Sequence, residues 1–483
     1  MNYYIGLDLG TSGLKCLLVD RNGKILKQAT AEYAVCYPQN GWSEQNPDDW
    51  LVAMQKVLVE LSYGVEKEVK GISFGGQMHG LVILDEHDRV IRPCILWNDG
   101  RTQKQTDYLN NVVGKDKLSA LTANIAFAGF TAPKILWLKE HEPENFKRIA
   151  KIMLPKDYLA YKLTGVFSTD YSDASGTLLL DVKNKRWSEE MLSICGIMEK
   201  QLPKLYESYE VTGKVKEEYN LPNAVVTAGA GDNAAAAVGM GAVKSGDCNI
   251  SLGTSGTVFI AQDEFAVDKN NALHSFCHAT GKWHSMGCIL SAASCRKWWL
   301  EDILNSDDYS ADEKEIENTQ IDDVIFLPYL MGERSPHNDV NARGAFIGLS
   351  ATTTRAQMSR AVMEGVAFAL KDCLNVAKQN GFKPNRITVC GGGARSKVWL
   401  QILADILDYP LTVLETEQGP AYGAAILAMV GTKKFVSVEQ ATLAFVATKS
   451  TVISETNNSE SYRQKFIIYE RLYPLLSMLK NNA

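Results

Sequence analysis

The sequence predicts an α/β protein of two similar domains, and three observations lead to that prediction. The pentapeptide Leu-Gly-Thr-Ser-Gly occurs at residues 9–13 and again at residues 252–256. Segments with strand-like alternation and segments with helical periodicity follow one another along both halves of the chain. At about 150 residues per domain, a chain of 483 residues corresponds to two to four domains, or to two large ones. The half-chain offset therefore indicates a duplicated domain, because solenoid repeats are much shorter.

The composition is that of an ordinary globular protein. Hydrophobic residues make up 46% and charged residues 22%, with 37 Gly and 14 Pro, which excludes collagen-like and disordered classes. The longest nearly apolar run, residues 234–243, has about half the length of a transmembrane helix, so no membrane span is expected. The N-terminus lacks a basic segment and carries Asp8 where a signal peptide would be apolar, which predicts a cytoplasmic protein.

Cysteine spacing and charge indicate the class of partner. The ten Cys residues form no Cys-x-x-Cys pair, so reduced, mostly buried thiols are expected rather than a disulfide framework or a zinc site. The net charge is −6 and the pI is about 5.8, without long runs of one sign. The chain therefore lacks the basic footprint of proteins that bind nucleic acid or anionic membranes, and a small molecule is the expected partner.

Each copy of the pentapeptide lies at the tip of a predicted β-hairpin. Residues 3–9 and 14–19 are the strands around the first tip, and residues 248–252 and 257–260 are those around the second. An Asn-Gly turn at residues 22–23 predicts a third antiparallel strand after the first hairpin.

A Gly-Thr-Ser tip suits phosphate oxygens because it offers unobstructed N–H groups and hydroxyls. One copy alone is more often an ordinary glycine turn, whereas two copies half a chain apart favour phosphate binding. No Gly-Lys is followed by Ser or Thr, so the Walker A loop is missing, and residues 229–234 match the dinucleotide fingerprint only weakly. If phosphate is bound, the paired hairpins bind it.

The remaining predicted elements alternate in the same way. Between the repeats, strands are predicted at residues 69–74, 82–84, 90–96 and 223–231, and helices at residues 47–62, 133–141 and 233–243. After the second repeat the pattern predicts a strand at 386–390, a turn at 391–394, and helices at 396–407, 419–430 and 460–480, the last interrupted near Pro474. Small residues in 419–430 predict close packing against another helix. The repeat places the boundary near residues 244–247 and thus predicts domains 1–245 and 246–483.

Further motifs stand along the chain in a definite order. Seven are short: Asp8-Leu-Gly-Thr-Ser12, Gly76-Gln-Met-His-Gly80, Leu96-Trp-Asn-Asp-Gly-Arg101, Leu154-Pro-Lys-Asp-Tyr158, Gly231-Asp-Asn233, Ser251-Leu-Gly-Thr-Ser255 and Gly391-Gly-Gly-Ala-Arg-Ser396. Two are longer: Gly129-Phe-Thr-Ala-Pro-Lys-Ile-Leu-Trp137 with Glu140-His141, and Gly344-Ala-Phe-Ile-Gly-Leu349 leading to Gln357 and Ala361-Val-Met-Glu364. Over nearly the whole chain, their order and spacing resemble the FGGY family of carbohydrate kinases. Gln-Met-His-Gly and Trp-Asn-Asp-Gly-Arg are similar to the branch that acts on xylulose rather than to glycerol kinases.

The resemblance implies a fold and an activity. The implied fold is α/β, with two actin-like (ribonuclease-H-like) domains, each a mixed five-stranded sheet flanked by helices. The implied reaction is transfer of phosphate from ATP, with Mg²⁺, to O5 of D-xylulose, giving D-xylulose 5-phosphate and ADP. A kinase for another ketose or polyol is an alternative, and an actin-like ATPase that is not a kinase is a less favoured one, because no peptide-binding domain follows the second loop. The resemblance leaves a homodimer open.

Phosphoryl transfer needs phosphate contacts, a metal anchor and a base for the attacking hydroxyl. The resemblance assigns Asp8 to Mg²⁺ through waters and Asp232 to the base. Because Asp232 begins a predicted helix, the positive end of that helix should keep it ionised with a low pKa. The residues implied to contact ATP are Gly10, Thr11, Ser12, Gly253, Thr254, Gly391, Gly392, Gly393 and Ala394. Those implied to contact the sugar are Met78, His79, Asp232 and Asn233.

Each assignment has a simpler structural reading. Asp232 alone would be read as an ordinary helix-capping residue, and His79 alone as a structural histidine. Lys15 is either an added charge near the phosphates or a solvated strand residue. Asp99 and Arg101 are interpreted as an internal ion pair rather than as site residues.

Overall fold

Two seven-stranded mixed sheets form the framework of the protein. The computed structural model describes residues 2–415 and 419–481. In the first sheet the central strand Tyr3–Leu9 pairs antiparallel with Gly13–Asp20 and parallel with Val69–Gly76. In the second sheet Asp247–Leu252 has the same two kinds of neighbour. The two halves of the chain therefore share one topology, and the predicted α/β class is confirmed.

The strand count in each sheet is higher than the five expected. Five strands correspond between the sheets, and two more are added in each. In the first sheet the predicted strand 223–231 is divided in two, because Gly229 has a φ of +77° and interrupts the extended chain. The other added strands, Val211–Lys214, His274–Cys277 and Thr448–Val452, extend the sheets at their edges.

The strand bounds are as follows. The first sheet contains Tyr3–Leu9, Gly13–Asp20, Ile25–Glu32, Val69–Gly76, Val211–Lys214, Val225–Thr227 and Ala230–Gly231. The second contains Asp247–Leu252, Gly256–Gln262, His274–Cys277, Trp283–Ile289, Arg386–Cys390, Leu411–Leu414 and Thr448–Val452. Short two-stranded pairs are formed by Glu44–Gln45, Val82–Leu84, Cys94–Ile95, Lys151–Met153, Ser168–Asp170, Leu180–Asp181, Arg186–Trp187, Lys204–Tyr206, Ile325–Leu327 and Ala345–Ile347.

The helices lie around these sheets. The α-helices are Pro47–Ser62, Gln103–Asp107, Lys115–Thr122, Thr131–His141, Pro143–Lys147, Pro155–Thr164, Tyr171–Ser175, Glu189–Cys195, Asp232–Gly239, Ala293–Lys297, Tyr309–Glu317, Arg355–Gln379, Lys397–Leu407, Gly419–Gly431, Val438–Phe445 and Thr456–Asn481. Short 3₁₀ or π turns are Tyr108–Gly114, Glu199–Gln201, Glu217–Tyr219, Trp298–Ile303 and Gly392–Arg395.

Helix Pro47–Ser62 shows why the local sequence predicts the helices well. The side chain of Asn46 accepts a hydrogen bond from the amide of Asp48, and Pro47 occupies the first helical position, where its missing N–H costs nothing. Buried residues then recur at helical spacing along one face, including Trp50 and Val57.

Helix Gly419–Gly431 packs closely against two elements of the first half. A Cβ on Gly423 would lie 1.8 Å from the carbonyl oxygen of Ala235, and a Cβ on Gly6 would lie 1.9 Å from that of Ala421. Only glycine permits such an approach of backbone to backbone. The predicted close packing of this small-residue helix is confirmed. Because the helix lies on the first sheet although it belongs to the second half of the chain, the domain division at residues 245/246 stays a prediction.

Three sequence predictions are wrong in detail. In the predicted strand 90–96 only Cys94–Ile95 forms a strand, and Val90 makes an isolated bridge to Leu84, because the chain bends at residue 92. The predicted helix 233–243 is Asp232–Gly239, which ends before a turn containing Gly241 at φ +79°. The tail forms the helix Thr456–Asn481, which continues through Pro474. Its N-terminal part is anchored by Tyr462, Phe466 and Tyr469, which are buried in the core of the second half.

Two negative findings agree with the composition. In the parts of the chain that the structure describes, no helix is long and apolar enough to cross a membrane. The ten cysteines stay as thiols, with no disulfide among the described residues.

Candidate active site

The first loop, residues 10–12, is held from outside by hydrogen bonds to its carbonyl groups. The carbonyl oxygen of Gly10 accepts from the Tyr33 hydroxyl at 2.6 Å, and that of Thr11 accepts from Gln45 Nε2 at 2.7 Å. The Thr11 hydroxyl donates to Gln77 Oε1 at 3.2 Å. Its proton is therefore already used, and the Gly10 amide donates to the Gly13 carbonyl at 3.0 Å, so the loop offers a ligand the amides of Thr11 and Ser12 and the exposed Ser12 hydroxyl.

The second loop, residues 253–254, has its carbonyls bound in the same way. The amide of Ala293 donates to the Gly253 oxygen at 2.8 Å, and the amide of Ala292 donates to the Thr254 oxygen at 2.9 Å. Ser294 Oγ adds a third bond, at 2.8 Å, to Thr254. Since the carbonyls of both loops are engaged elsewhere, N–H groups remain as the polar groups suited to anions. No hydrogen bond joins the first loop to the second within the described residues.

Two acidic side chains, Asp8 and Asp232, are close enough for the charge of Asp232 to affect the pKa of Asp8. Asp8 lies on strand Tyr3–Leu9, and Asp232 begins helix Asp232–Gly239. Burial, and then the charge of Asp232, raise the pKa of Asp8 to about 7, while Lys15 opposes the shift from the neighbouring strand. Burial raises the pKa of Asp232 to about 6, although Asn233 donates to it twice, at 2.7 and 2.9 Å. The predicted low pKa of Asp232 is wrong, because burial outweighs the helix end and these hydrogen bonds.

The same pair fits a divalent cation. Two partly desolvated carboxyls with raised pKa values are stabilised as anions when a cation is placed between or beside them. The described residues contain no group of three or more His, Cys, Asp or Glu side chains that could enclose a metal. That is compatible with Mg²⁺, which is usually bound through one or two carboxylates together with waters and substrate phosphates.

A buried network supports the backbone before Asp232. The amide of Gly231 donates to Ser172 Oγ at 3.1 Å, and that hydroxyl donates to Asp170 Oδ2 at 2.5 Å. The fully buried Lys156 lies 2.9 Å from Asp170. Burial lowers the pKa of Lys156, but the attraction of the surrounding carboxylates more than offsets it and raises the pKa. Hydrogen bonding to this buried cluster thus holds the backbone directly before Asp232.

The predicted sugar residues come together beside Asp232. Asn233 Nδ2 donates to Met78 Sδ at 3.9 Å, and a Cβ on Gly231 would lie 3.0 Å from Met78 Cγ. His79 Nδ1 bonds the carbonyl oxygen of Gly176 at 2.6 Å. Because a carbonyl only accepts, Nδ1 carries the proton and Nε2 is an acceptor. Burial lowers the pKa of His79 to about 3, so the imidazole is neutral.

The glycine turn 391–394 has two different roles. Gly391 has a φ of +90°, and a Cβ there would lie 2.7 Å from the carbonyl group of Leu252, next to the second loop. A Cβ on Gly393 would meet Leu252 and Trp399 at 2.9 Å. Packing therefore accounts for these two glycines. A Cβ on Gly392 would meet nothing within 4 Å, so this position has an open side, whereas Ala394 is buried.

The interpretation of Asp99 and Arg101 as an internal ion pair is confirmed. Both side chains are fully buried, with Nη2 of Arg101 2.7 Å from Oδ2 of Asp99. Nη1 of Arg101 lies 2.6 Å from Glu44, and the guanidinium stacks 3.7 Å from the Trp42 ring centroid. The pair therefore braces the segment around Trp42.

Some residues near the site were not foreseen from the sequence. Lys134 bonds the backbone of His79, and Phe130 stacks on its ring with centroids 4.5 Å apart. Phe130 also contacts His274 from the second half, at 5.6 Å. Lys134 and Phe130 belong to the Gly-Phe-Thr-Ala-Pro-Lys motif. The motif therefore identified this segment, but it gave no sign of the contact with His79, about fifty positions earlier.

The duplicated sheets, the matching Gly-Thr-Ser loops and the coupled acidic residues define an actin-like α/β protein. Comparison with known proteins narrows this class. Residues 3–239 match the N-terminal domain, and residues 248–432 the C-terminal domain, of the FGGY family of carbohydrate kinases. The chain belongs to this family.

Individual relatives resemble the chain over almost its full length. A xylulose kinase from Escherichia coli (strain K12) is 40% identical, over 98% of this chain and 99% of that protein. A xylulose kinase from Lactococcus lactis is 42% identical, over 98% of this chain and 97% of that protein. Among solved structures, a xyloylose kinase from Brucella ovis has a TM-score of 0.94 and 40% identity, covering 99% of this chain and 100% of that chain.

Proposed function

We propose that this chain transfers the γ-phosphoryl group of ATP to O5 of D-xylulose, giving D-xylulose 5-phosphate and ADP. The observation that carries the proposal is the similarity, at about 40% identity over 98% of the chain, to curated xylulose kinases. The neutral acceptor on His79 and the amide of Asn233 support it, because a polyol is best recognised by directed hydrogen bonds.

In the proposed reaction, Asp232 accepts the proton of the O5 hydroxyl. O5 then forms a bond to the γ-phosphorus as the bond from that phosphorus to the β,γ-bridging oxygen breaks, and ADP leaves with the electron pair. A pKa near the working pH suits a general base, and the pKa of about 6 supports this role for Asp232.

The other side chains bind and orient. The amides of the first and second loops would hold the phosphates, and the open side of Gly392 would accept the adenosine. Asp8 would hold Mg²⁺, which offsets phosphate charge when bound. The absence of nucleic-acid binding, a cytoplasmic location and a homodimer stay predictions.

A coupled ADP-release assay with a panel of pentuloses, hexuloses and polyols tests the proposal. We expect the highest kcat/KM with D-xylulose, and 5-phosphorylated product by NMR. A higher kcat/KM for another ketose or polyol would assign the chain to a different substrate. ATP hydrolysis that no sugar accelerates would instead favour an actin-like ATPase that is not a kinase.

A further inference from the structure

Lys134 is fully buried, and its ammonium group is hydrogen-bonded to uncharged groups. Its side chain has no exposed surface, and its ammonium donates to the carbonyl oxygens of His79 at 2.8 Å and Gly129 at 2.7 Å. Neither acceptor is charged. Burial lowers the pKa of Lys134 to about 7. A buried ammonium bonded to neutral groups is costly, and its place in the first turn of helix Thr131–His141 adds repulsion from the positive helix end.

The group that Lys134 holds is itself in a strained conformation. His79 has a φ of +69°, in the left-handed region that is unfavourable for a non-glycine residue. The Thr131 hydroxyl donates to the same His79 carbonyl at 3.1 Å. Two donors from one helix therefore hold the carbonyl of a residue that has a strained backbone conformation.

The imidazole of His79 is fixed from other directions. Its Nδ1 bonds the Gly176 carbonyl, and its ring stacks on Phe130 at an interplanar angle of 21°. The hydrogen bonds from Lys134 and Thr131 to the His79 carbonyl form a backbone clamp. Together with the ring contacts, this clamp leaves Nε2 as the imidazole nitrogen of His79 that can accept a hydrogen bond. The charge of Lys134 also disfavours protonation of the imidazole, after the larger effect of burial.

We propose that Lys134 is a positioning residue for sugar recognition: its ammonium holds the backbone carbonyl of His79, so that Nε2 is presented as a neutral acceptor to a sugar hydroxyl. The inference rests on the proposed function, which places His79 in the sugar site. In this role Lys134 acts through His79, and its second hydrogen bond, to the Gly129 carbonyl at 2.7 Å, holds the ammonium in place.

The first test compares Lys134→Met with Lys134→Arg and with Lys139→Met, an exposed lysine on the same helix. We expect Lys134→Met to raise the KM for D-xylulose about 10- to 100-fold, with the KM for ATP within about twofold. Lys134→Arg should recover part of the loss because it restores a cationic donor, and Lys139→Met should match the wild type. Equal increases in both KM values, or an unchanged sugar KM, would overturn the proposal.

A second test shows whether Lys134 affects sugar binding through His79. If Lys134 acts through His79, then Lys134→Met should add little to the loss already caused by His79→Ala, so the double variant should resemble His79→Ala. Independent, multiplicative losses would contradict the inference. Should Lys134→Met fail to fold, Lys134→Gln, which keeps a neutral donor, replaces it in the same cycle.

A third readout needs no sugar. In ¹⁵N NMR of labelled histidine, the wild type should show His79 as the Nδ1-protonated tautomer, and Lys134→Met should show tautomer exchange at His79. An unchanged tautomer would count against the clamp. If instead the wild type is inactive with D-xylulose, the proposed function fails while this spectroscopic result still decides the role of Lys134.

Discussion

Two opposing effects determine the pKa of the Asp232 carboxyl. Hydrogen bonds from Asn233 and the start of a helix favour the charged form, whereas burial favours the neutral form and raises the pKa to about 6. Between pH 4 and 6 the unfolded chain, with an Asp pKa of about 3.9, has released a proton that the folded chain keeps. The contribution of Asp232 to the free energy of unfolding therefore falls as the pH rises from 4 to 6, and it stays lower above pH 6.

Replacing Asp232 by Asn should separate catalysis from stability. We expect Asp232→Asn to lower kcat by about 10²–10⁴-fold, the usual contribution of a general base. In metal-free buffer at pH 7.5 its unfolding free energy should exceed that of the wild type by up to about 2 kcal/mol, because a buried charge is removed. The gain should shrink toward pH 4.5. Urea unfolding at three pH values measures it, with the exposed Asp323→Asn as the control.

Two outcomes would contradict these expectations. Near-normal turnover of folded D232N would show that Asp232 is not the base. A stability gain that does not depend on pH would show that the buried charge is not its source.

The glycine-rich turn 391–394 has a sequence typical of ligand-binding loops, but two of its glycines are required for packing. Gly391 and Gly393 are needed because strand Asp247–Leu252 and helix Lys397–Leu407 press against them. Only Gly392 faces open space. The turn thus connects the position proposed for adenosine to the second loop, since Gly391 lies directly against the peptide between Leu252 and Gly253.

A pair of alanine substitutions should distinguish these roles. Gly391→Ala should lower Tm and raise the KM for ATP at least about tenfold, because a Cβ would collide with the second loop and φ is positive, at a cost of about 1–3 kcal/mol. Gly392→Ala is the matched control for stability, and its Tm should equal that of the wild type. Its KM for ATP should still rise if adenosine lies on its open side. A normal Tm for Gly391→Ala would disprove the packing argument, and a normal KM for Gly392→Ala would remove adenosine from this position.

Across the whole molecule, the two halves are joined along one edge of the second sheet and through helix Gly419–Gly431, which packs on the first sheet. Asn124 exchanges hydrogen bonds with the backbone of Ser275, and Ser175 Oγ accepts from the amide of Cys277. The hydrophobic cluster there includes Phe276 from the second half together with residues of the first half. A relative motion of the halves must therefore rearrange the contacts of this edge or those of helix Gly419–Gly431.

At the scale of the whole molecule, we expect the binding of sugar and ATP to bring the two halves closer together. The two loops can hold one triphosphate only if the halves approach each other, and excluding water protects ATP from hydrolysis. With D-xylulose and a non-hydrolysable ATP analogue, small-angle scattering should show a smaller radius of gyration than without ligands. ATP hydrolysis without sugar should be a minor fraction of the kinase rate. An unchanged radius at saturation would argue against closure, and equal rates would argue against closure as the barrier to water.

Local patterns were enough to predict most of the framework. The hairpins around both pentapeptides, helix Pro47–Ser62 and strand Arg386–Cys390 follow from alternation, capping and turn residues that lie next to each other in the chain. The family motifs likewise predicted that Met78 and Asn233 would lie together. These features depend on short-range periodicity, which a sequence displays directly.

Other properties depend on segments that meet only in the folded chain. The pKa of Asp232 was predicted with the wrong sign because burial depends on what covers a side chain, not on its helix position. The helix Thr456–Asn481 passes through Pro474 because aromatic contacts with a distant core hold it. Lys134 holds a carbonyl 55 residues earlier, and no local pattern records such a contact. Burial, electrostatic coupling and backbone clamping act through space, so they were decided by how distant parts of the chain pack together.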